Sequence, residues 1–308
     1  MTDPSARFSI KRTLVVCALV AVAYSLALLL LGKGVPAMPA QLWSGTGLLA
    51  LLLCLMNYLL RGWRWRLWMA FMGRPMPPVA GLRWYLVGYV FTPTPGNVGE
   101  ALRATLLAQR PLSVTQSVSI FGAERVADLS ALLILCLPAV FWWWQHMPVL
   151  PVWAGWGAGL VALVLVALAV VLLKSRVLAA IRRWVWLGTA LACLRHRAGL
   201  WMSLTLCAWL SQGVAVYLLC RLMGLELAML TAVGFYAVAM VAGALSALPA
   251  GLGGTELALS GLLVLHGADA TSALIITFVA RILTLWLAVA IGMVAMAHSL
   301  LIAKDIQL

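Results

Sequence analysis

The sequence predicts an all-α polytopic membrane protein: one transmembrane domain over residues 1–308, with about six full transmembrane helices and two re-entrant helical hairpins in an inverted-topology repeat. Three observations predict it. The chain is 65% hydrophobic and only 9% charged, which leaves no room for a soluble domain beside the spans. Its 21 basic residues, against 8 acidic ones, cluster in short stretches between apolar runs, the pattern that orients helices across a bilayer. Two of the apolar regions are broken by proline and glycine beside a carboxylate, at Thr92–Glu100 and Leu248–Glu256. Irregular backbone at membrane depth is tolerated only where protein buries it or a water-filled cavity receives it.

The net charge of +13 suits a topology signal and contact with anionic lipid better than nucleic acid, because it is dispersed among loops. Six scattered cysteines read as small packing residues, and four histidines form no ligand spacing, so neither a metal nor another cofactor is expected.

In chain order, Arg7, Lys11 and Arg12 precede an uncharged run from Leu14 to Leu31, read as a retained first span over 13–31 with a cytoplasmic N-terminus. A first repeat covers 43–140. It opens with a span near 43–60 and continues into Arg61-Gly62-Trp63-Arg64-Trp65-Arg66, an interleaving of Arg and Trp expected to anchor the cytoplasmic headgroup interface. A re-entrant hairpin over 84–110 follows, broken at Pro93, Pro95, Gly96, Asn97 and Gly99; each arm is about half a bilayer long at about 1.5 Å per residue. The span from 114 to 140 carries Glu124, Arg125 and Asp128 and ends in an aromatic interface stretch, Phe141–His146. A connecting span over 153–173 leads to a basic loop ending at Arg197. The second repeat, 200–298, has a span to Cys220, a hairpin over 229–265 broken at Pro249, Gly251, Gly253 and Gly254, and a final span bearing Arg281 that returns the C-terminus to the cytoplasm.

The repeat is read from spacing. Pro93 and Pro249, Glu100 and Glu256, and Arg125 and Arg281 all differ by 156 positions. An odd number of crossings separates the copies, so they face opposite ways, the arrangement of secondary transporters that handle substrate where repeats meet.

Ionisable groups within spans cost about 2.5–3.5 kcal/mol each on insertion scales, which makes them functional candidates. Glu100, Glu124, Arg125, Asp128, Glu256 and Arg281 are the set selected for substrate binding or translocation. Arg125 and Asp128 can pair locally at i, i+3, and a structural ion pair is the plain alternative for them. Asn97 and Glu100 fit a capping box, which Gly253 and Glu256 fit less well. Arg281 has no acid within two turns of its own helix, so its partner is Glu256, Glu100 or a substrate phosphate. Counting only Arg125 and Arg281 against the four acids leaves two carboxylates over. That surplus argues for proton coupling or for a cationic group on the substrate.

At these residues a resemblance becomes specific. Pro249-Ala250-Gly251-Leu252-Gly253-Gly254-Thr255-Glu256, the earlier Pro95–Glu100 stretch and Glu124-Arg125-xx-Asp128 resemble the flippase-like membrane family named for the transmembrane region of lysylphosphatidylglycerol synthases, over roughly residues 10–300. The resemblance implies a multi-pass bacterial inner-membrane protein that moves a phospholipid, a polyprenyl-phosphate-linked lipid or a modified envelope lipid between leaflets. It places the six ionisable residues at the core of that activity. Synthase members carry an aminoacyl-transfer domain after the spans, so lysyl transfer, and enzymatic activity generally, is not expected here. The partners it implies are membrane lipids, with room for a homo-oligomer and for envelope-lipid biosynthetic enzymes. Two alternatives stand beside it: an intramembrane enzyme acting on a lipid headgroup, and a scaffold that recruits partners through its Arg-rich loops.

Overall fold

The computed structural model describes residues 42–94, 100–101, 103–104, 112–146, 184–246 and 248–305. The expected spans at 13–31 and 153–173, and the hairpin positions Pro95, Gly96, Asn97 and Gly99, lie outside them.

Helix α1 runs Gly45–Phe71, starting where the Ser44 side chain accepts from the Gly47 N–H. It passes 11 residues beyond the expected end of the span. Its buried face, Ala50, Cys54, Asn57, Tyr58, Arg61 and Trp65, recurs every three or four residues, while Leu48, Leu52, Met56, Leu59 and Trp63 form the exposed stripe. An outward apolar stripe of that length is a surface made for lipid. The Arg/Trp stretch is therefore helix and not loop, and Arg61, Arg64 and Trp65 turn inward, contrary to the expected interfacial anchor. Helical spacing sets that outcome: residues 61, 64, 65 and 68 lie on the face that Asn57 and Tyr58 already commit to the core. Trp63 faces outward, and Arg66 reaches over its ring and donates to the Met76 carbonyl.

Helix α2, Pro78–Val87, begins before the expected Trp84, because proline at the first helical position costs no hydrogen bond. A 3₁₀ turn, Gly88–Phe91, carries it towards Pro93. Helix α3, Val114–Leu135, is capped reciprocally by Ser113 and Gln116 and continues as α4, Leu137–His146. The two join at Cys136, where Pro138 withholds its N–H from the helical ladder. Helix α5, Val185–Arg195, falls where only a basic loop was expected; it packs on α3.

Helix α6, Ala198–Leu222, crosses α1 in the most extensive helix contact among the described residues, where Asn57 Nδ2 donates to the Ala208 carbonyl at 2.7 Å. Helices α7, Met229–Leu245, and α8, Gly254–Leu265, pack against each other as a helical hairpin. They are joined through a 3₁₀ turn at Pro249–Gly251. Helix α9, Ala270–Arg281, opens into a π turn, Ile282–Trp286, and continues as α10, Leu287–Asp305. Tyr58 of α1 donates to the Leu283 carbonyl at 2.7 Å, meeting a backbone group of the π turn.

Among the described residues, four segments are long and apolar enough to cross a membrane: Gly45–Phe71, Val114–His146, Ala198–Leu222 and Ala270–Ser299. The described chain is all helical and carries several shorter apolar helices beside these four. The offset of 156 extends to the helix starts, since α3 begins at Val114 and α9 at Ala270, capped by Ser113 and Asp269.

Candidate functional site

The second break is built by glycines that bring two backbones together. Ala250, Gly251 and Gly253 all take positive φ, which folds the chain back between α7 and α8. Gly243 on α7 lies against the Gly251 carbonyl and the Thr255 side chain, and any side chain at 243 would overlap the Thr255 hydroxyl. This packing sets Glu256 on the first turn of α8.

Glu256 makes two contacts at once. Its Oε1 accepts from Arg281 Nε at 2.7 Å and its Oε2 from the Gly253 N–H at 2.7 Å, so it makes the glutamate half of a capping box despite having glycine at the cap. Arg281 also donates from Nη2 to the Ala250 carbonyl at 2.8 Å, holding the break against α9. Of the partners open to Arg281, the structure selects Glu256.

The first half repeats the pairing less tightly. Glu100 accepts from Thr92 Oγ1 at 2.9 Å and lies 3.4 Å from Arg125 Nη2. Arg125 reaches Asp128 on its own helix at 3.3 Å. The two arginines at equivalent positions differ in access: the Arg125 side chain is 32% exposed and that of Arg281 is 2% exposed.

Three further arginines belong to the network. Asp128 is held by Arg61 and Arg64, each at 2.7 Å, and by Trp209 Nε1 at 3.2 Å. Glu124 is paired with Arg103 and sits 3.9 Å from Arg64. Arg64 and Glu124 are fully buried, so they tie α1 to α3 inside the protein. Burial of so many charges is tolerable only because each is met by opposite charge; aromatic faces assist, with Arg61 over Trp209 and Arg103 over Tyr85.

The sequence reading missed Arg61, Arg64 and Arg103. The first two were assigned to an interface because Trp lies between them. Their spacing of three was the available signal, because it puts both guanidiniums on one helix face opposite Glu124 and Asp128, which share a face at a spacing of four. Their inclusion also reverses the charge sum. Among the described residues, five guanidiniums meet four carboxylates, so the surplus of carboxylates read from the sequence is replaced by one excess positive charge.

The network borders a cavity of about 350 Å³. Arg61, Arg125, Asp128, Glu100 and Arg281 line it together with the apolar Met240, Val241, Leu248 and Leu285. Glu256 stands behind the wall, joined to it through Arg281, and Glu124 lies deeper, paired with Arg103 and Arg64, neither of which lines the cavity. Both breaks reach the cavity, the first through Thr92 and Glu100 and the second through Ala250 and Gly251.

Apolar spans surrounding a buried, charge-lined cavity define an integral membrane protein with an internal polar site. The chain belongs to the family described as the lysylphosphatidylglycerol synthase TM region, which it matches over residues 14–292. It is also similar to a UPF0104 membrane protein of Methanothermobacter thermautotrophicus (strain Delta H), 33% identical over 94 residues. That similarity covers 30% of this chain and 28% of the relative.

Proposed function

We propose that this protein is a lipid transporter that moves a phospholipid, a polyprenyl-phosphate-linked lipid or a modified envelope lipid between leaflets, and that it is not an enzyme. The observation that carries the proposal is the cavity that both interrupted segments reach, where Glu100 and Arg125 line the wall and Arg281 lines it with Glu256 paired behind. Paired interrupted helices that meet substrate between two halves are the recurring design of secondary transporters. In this reading the halves are inverted, each Pro/Gly hairpin enters the bilayer without crossing it, and both termini are cytoplasmic in a bacterial inner membrane. Looser pairing and greater exposure at Arg125 than at Arg281 fit a state open on one side.

The full chain reconstituted in liposomes is expected to raise the leaflet exchange of a fluorescent phospholipid or polyprenyl phosphate above that of protein-free vesicles. Glu256→Gln and Arg281→Ala should each slow exchange by roughly tenfold or more, while Arg221→Gln on the exposed end of α6 should not. Equal rates in wild type and both site variants would remove the proposed role of the pair.

A further inference from the structure

Within the transport reading, the identity of the headgroup is the open chemical question, and the charge arrangement of the cavity bears on it. We propose that the cavity selects lipids by a net-anionic phosphoryl headgroup, and that Arg125 is the donor that meets the phosphate. This rests on the transport reading for access to the bilayer, but it concerns occupancy and not movement.

The two carboxylates on the cavity wall are already engaged. Asp128 accepts from Arg61 and Arg64 at 2.7 Å, and Glu100 accepts from Thr92 at 2.9 Å and faces Arg125. An ammonium headgroup would have to displace a guanidinium to reach either one. An anion meets the opposite situation. Three guanidiniums line the wall with two carboxylates, and the whole network keeps one positive charge in excess. A monoanionic phosphodiester neutralises that excess without breaking a pair.

Arg125 is the most available of these donors. Its contacts to Glu100 and Asp128, at 3.4 and 3.3 Å, are long beside the 2.7 Å of Arg61, Arg64 and Arg281. Its side chain is the most exposed of the network, and its Nε, buried like that of Arg61, has no hydrogen-bond partner among the described residues. A planar guanidinium with an idle Nε–H and a weakly held Nη is the fork that binds phosphate through two oxygens. The cavity volume of about 350 Å³ is near the lower end of the ~300–1,000 Å³ typical of small-molecule sites. It admits a headgroup but no acyl chains, which stay in the surrounding lipid.

Binding is read separately from transport. The purified full chain is mixed with equal amounts of dioleoyl phosphatidylglycerol, phosphatidylethanolamine and lysylphosphatidylglycerol, and bound lipid is counted by native mass spectrometry. Phosphatidylglycerol should be retained over the other two by roughly tenfold. Arg125→Gln should abolish the preference, Arg125→Lys should keep part of it, and Arg221→Gln should leave it intact. Equal retention, preference for the cationic lipid, or preference that survives Arg125→Gln overturns the proposal. Displacement by inorganic phosphate as effective as by the lipid would assign the site to a free anion and overturn its lipid part. Unselective binding with leaflet exchange intact would sink this proposal and spare transport; selective binding without exchange would do the reverse.

Discussion

Asp128 is the residue on which the buried charges converge. It is approached by Arg61, Arg64 and Arg125 and by the Trp209 N–H, from three helices. Neutralising it leaves the guanidiniums of Arg61 and Arg64 facing each other inside the protein. Removing one partner from a buried charge cluster costs about 3–5 kcal/mol, so Asp128→Asn is expected to destabilise the protein by that order, measured as SDS-induced unfolding in mixed micelles. An unfolding midpoint unchanged from wild type would show that the cluster contributes little to stability. Glu100 and Glu256 occupy equivalent places in the sequence yet differ physically: Glu256 also accepts a backbone N–H at the start of α8, whereas Glu100 accepts a threonine hydroxyl.

At the scale of elements, the turn between α7 and α8 depends on the close approach that Gly243 permits. A methyl group at 243 would occupy the space of the Thr255 hydroxyl, so Gly243→Ala should cost about 1–3 kcal/mol by overpacking. Thr255→Ala removes the colliding atom, and the double variant should recover most of the loss; failure to recover would place the strain in the backbone. The start of α9 offers a pH test. Asp269 caps it by accepting from the Ser272 N–H at 3.0 Å, and hydrogen bonds from the Ser272 hydroxyl and then its backbone hold the carboxyl below the ordinary aspartate range. A depressed folded-state pKa contributes stability that is present above the unfolded value and lost as pH falls through the folded one. The difference in melting temperature between wild type and Asp269→Ala should therefore persist at neutral pH and fade in acid below the usual carboxylate titration. A difference that stays constant down to pH ~2 would rule out the ionised cap.

For the whole molecule, the proposed inversion of the two halves predicts sidedness. The turns after α1 and α6 fall at corresponding places in the two halves and would lie on opposite faces of the membrane. In a cysteine-free background, Pro75→Cys and Glu226→Cys, both at exposed positions, should react with a membrane-impermeant maleimide from opposite sides. Labelling from one side would mean parallel halves and would remove the inverted geometry on which alternating access depends.

Much of this was legible in the chain. Continuous apolar runs marked spans because the bilayer requires them, and the offset of 156 marked two equivalent halves because each carboxylate–arginine pair recurs at one spacing. The second Pro/Gly break marked where the backbone turns, since little else stops a helix in an apolar environment. The sequence by itself determined the membrane class, the turn at the second break, and Glu256 or Glu100 as the open choices of partner for Arg281. Tertiary structure alone decided which acid Arg281 takes, and that Arg61, Arg64 and Arg103 turn inward to outnumber the acids. The reason is physical: hydropathy and spacing are local properties of one segment, whereas the sign of charge left in a cavity is a sum over side chains from several helices, known only once those helices have packed.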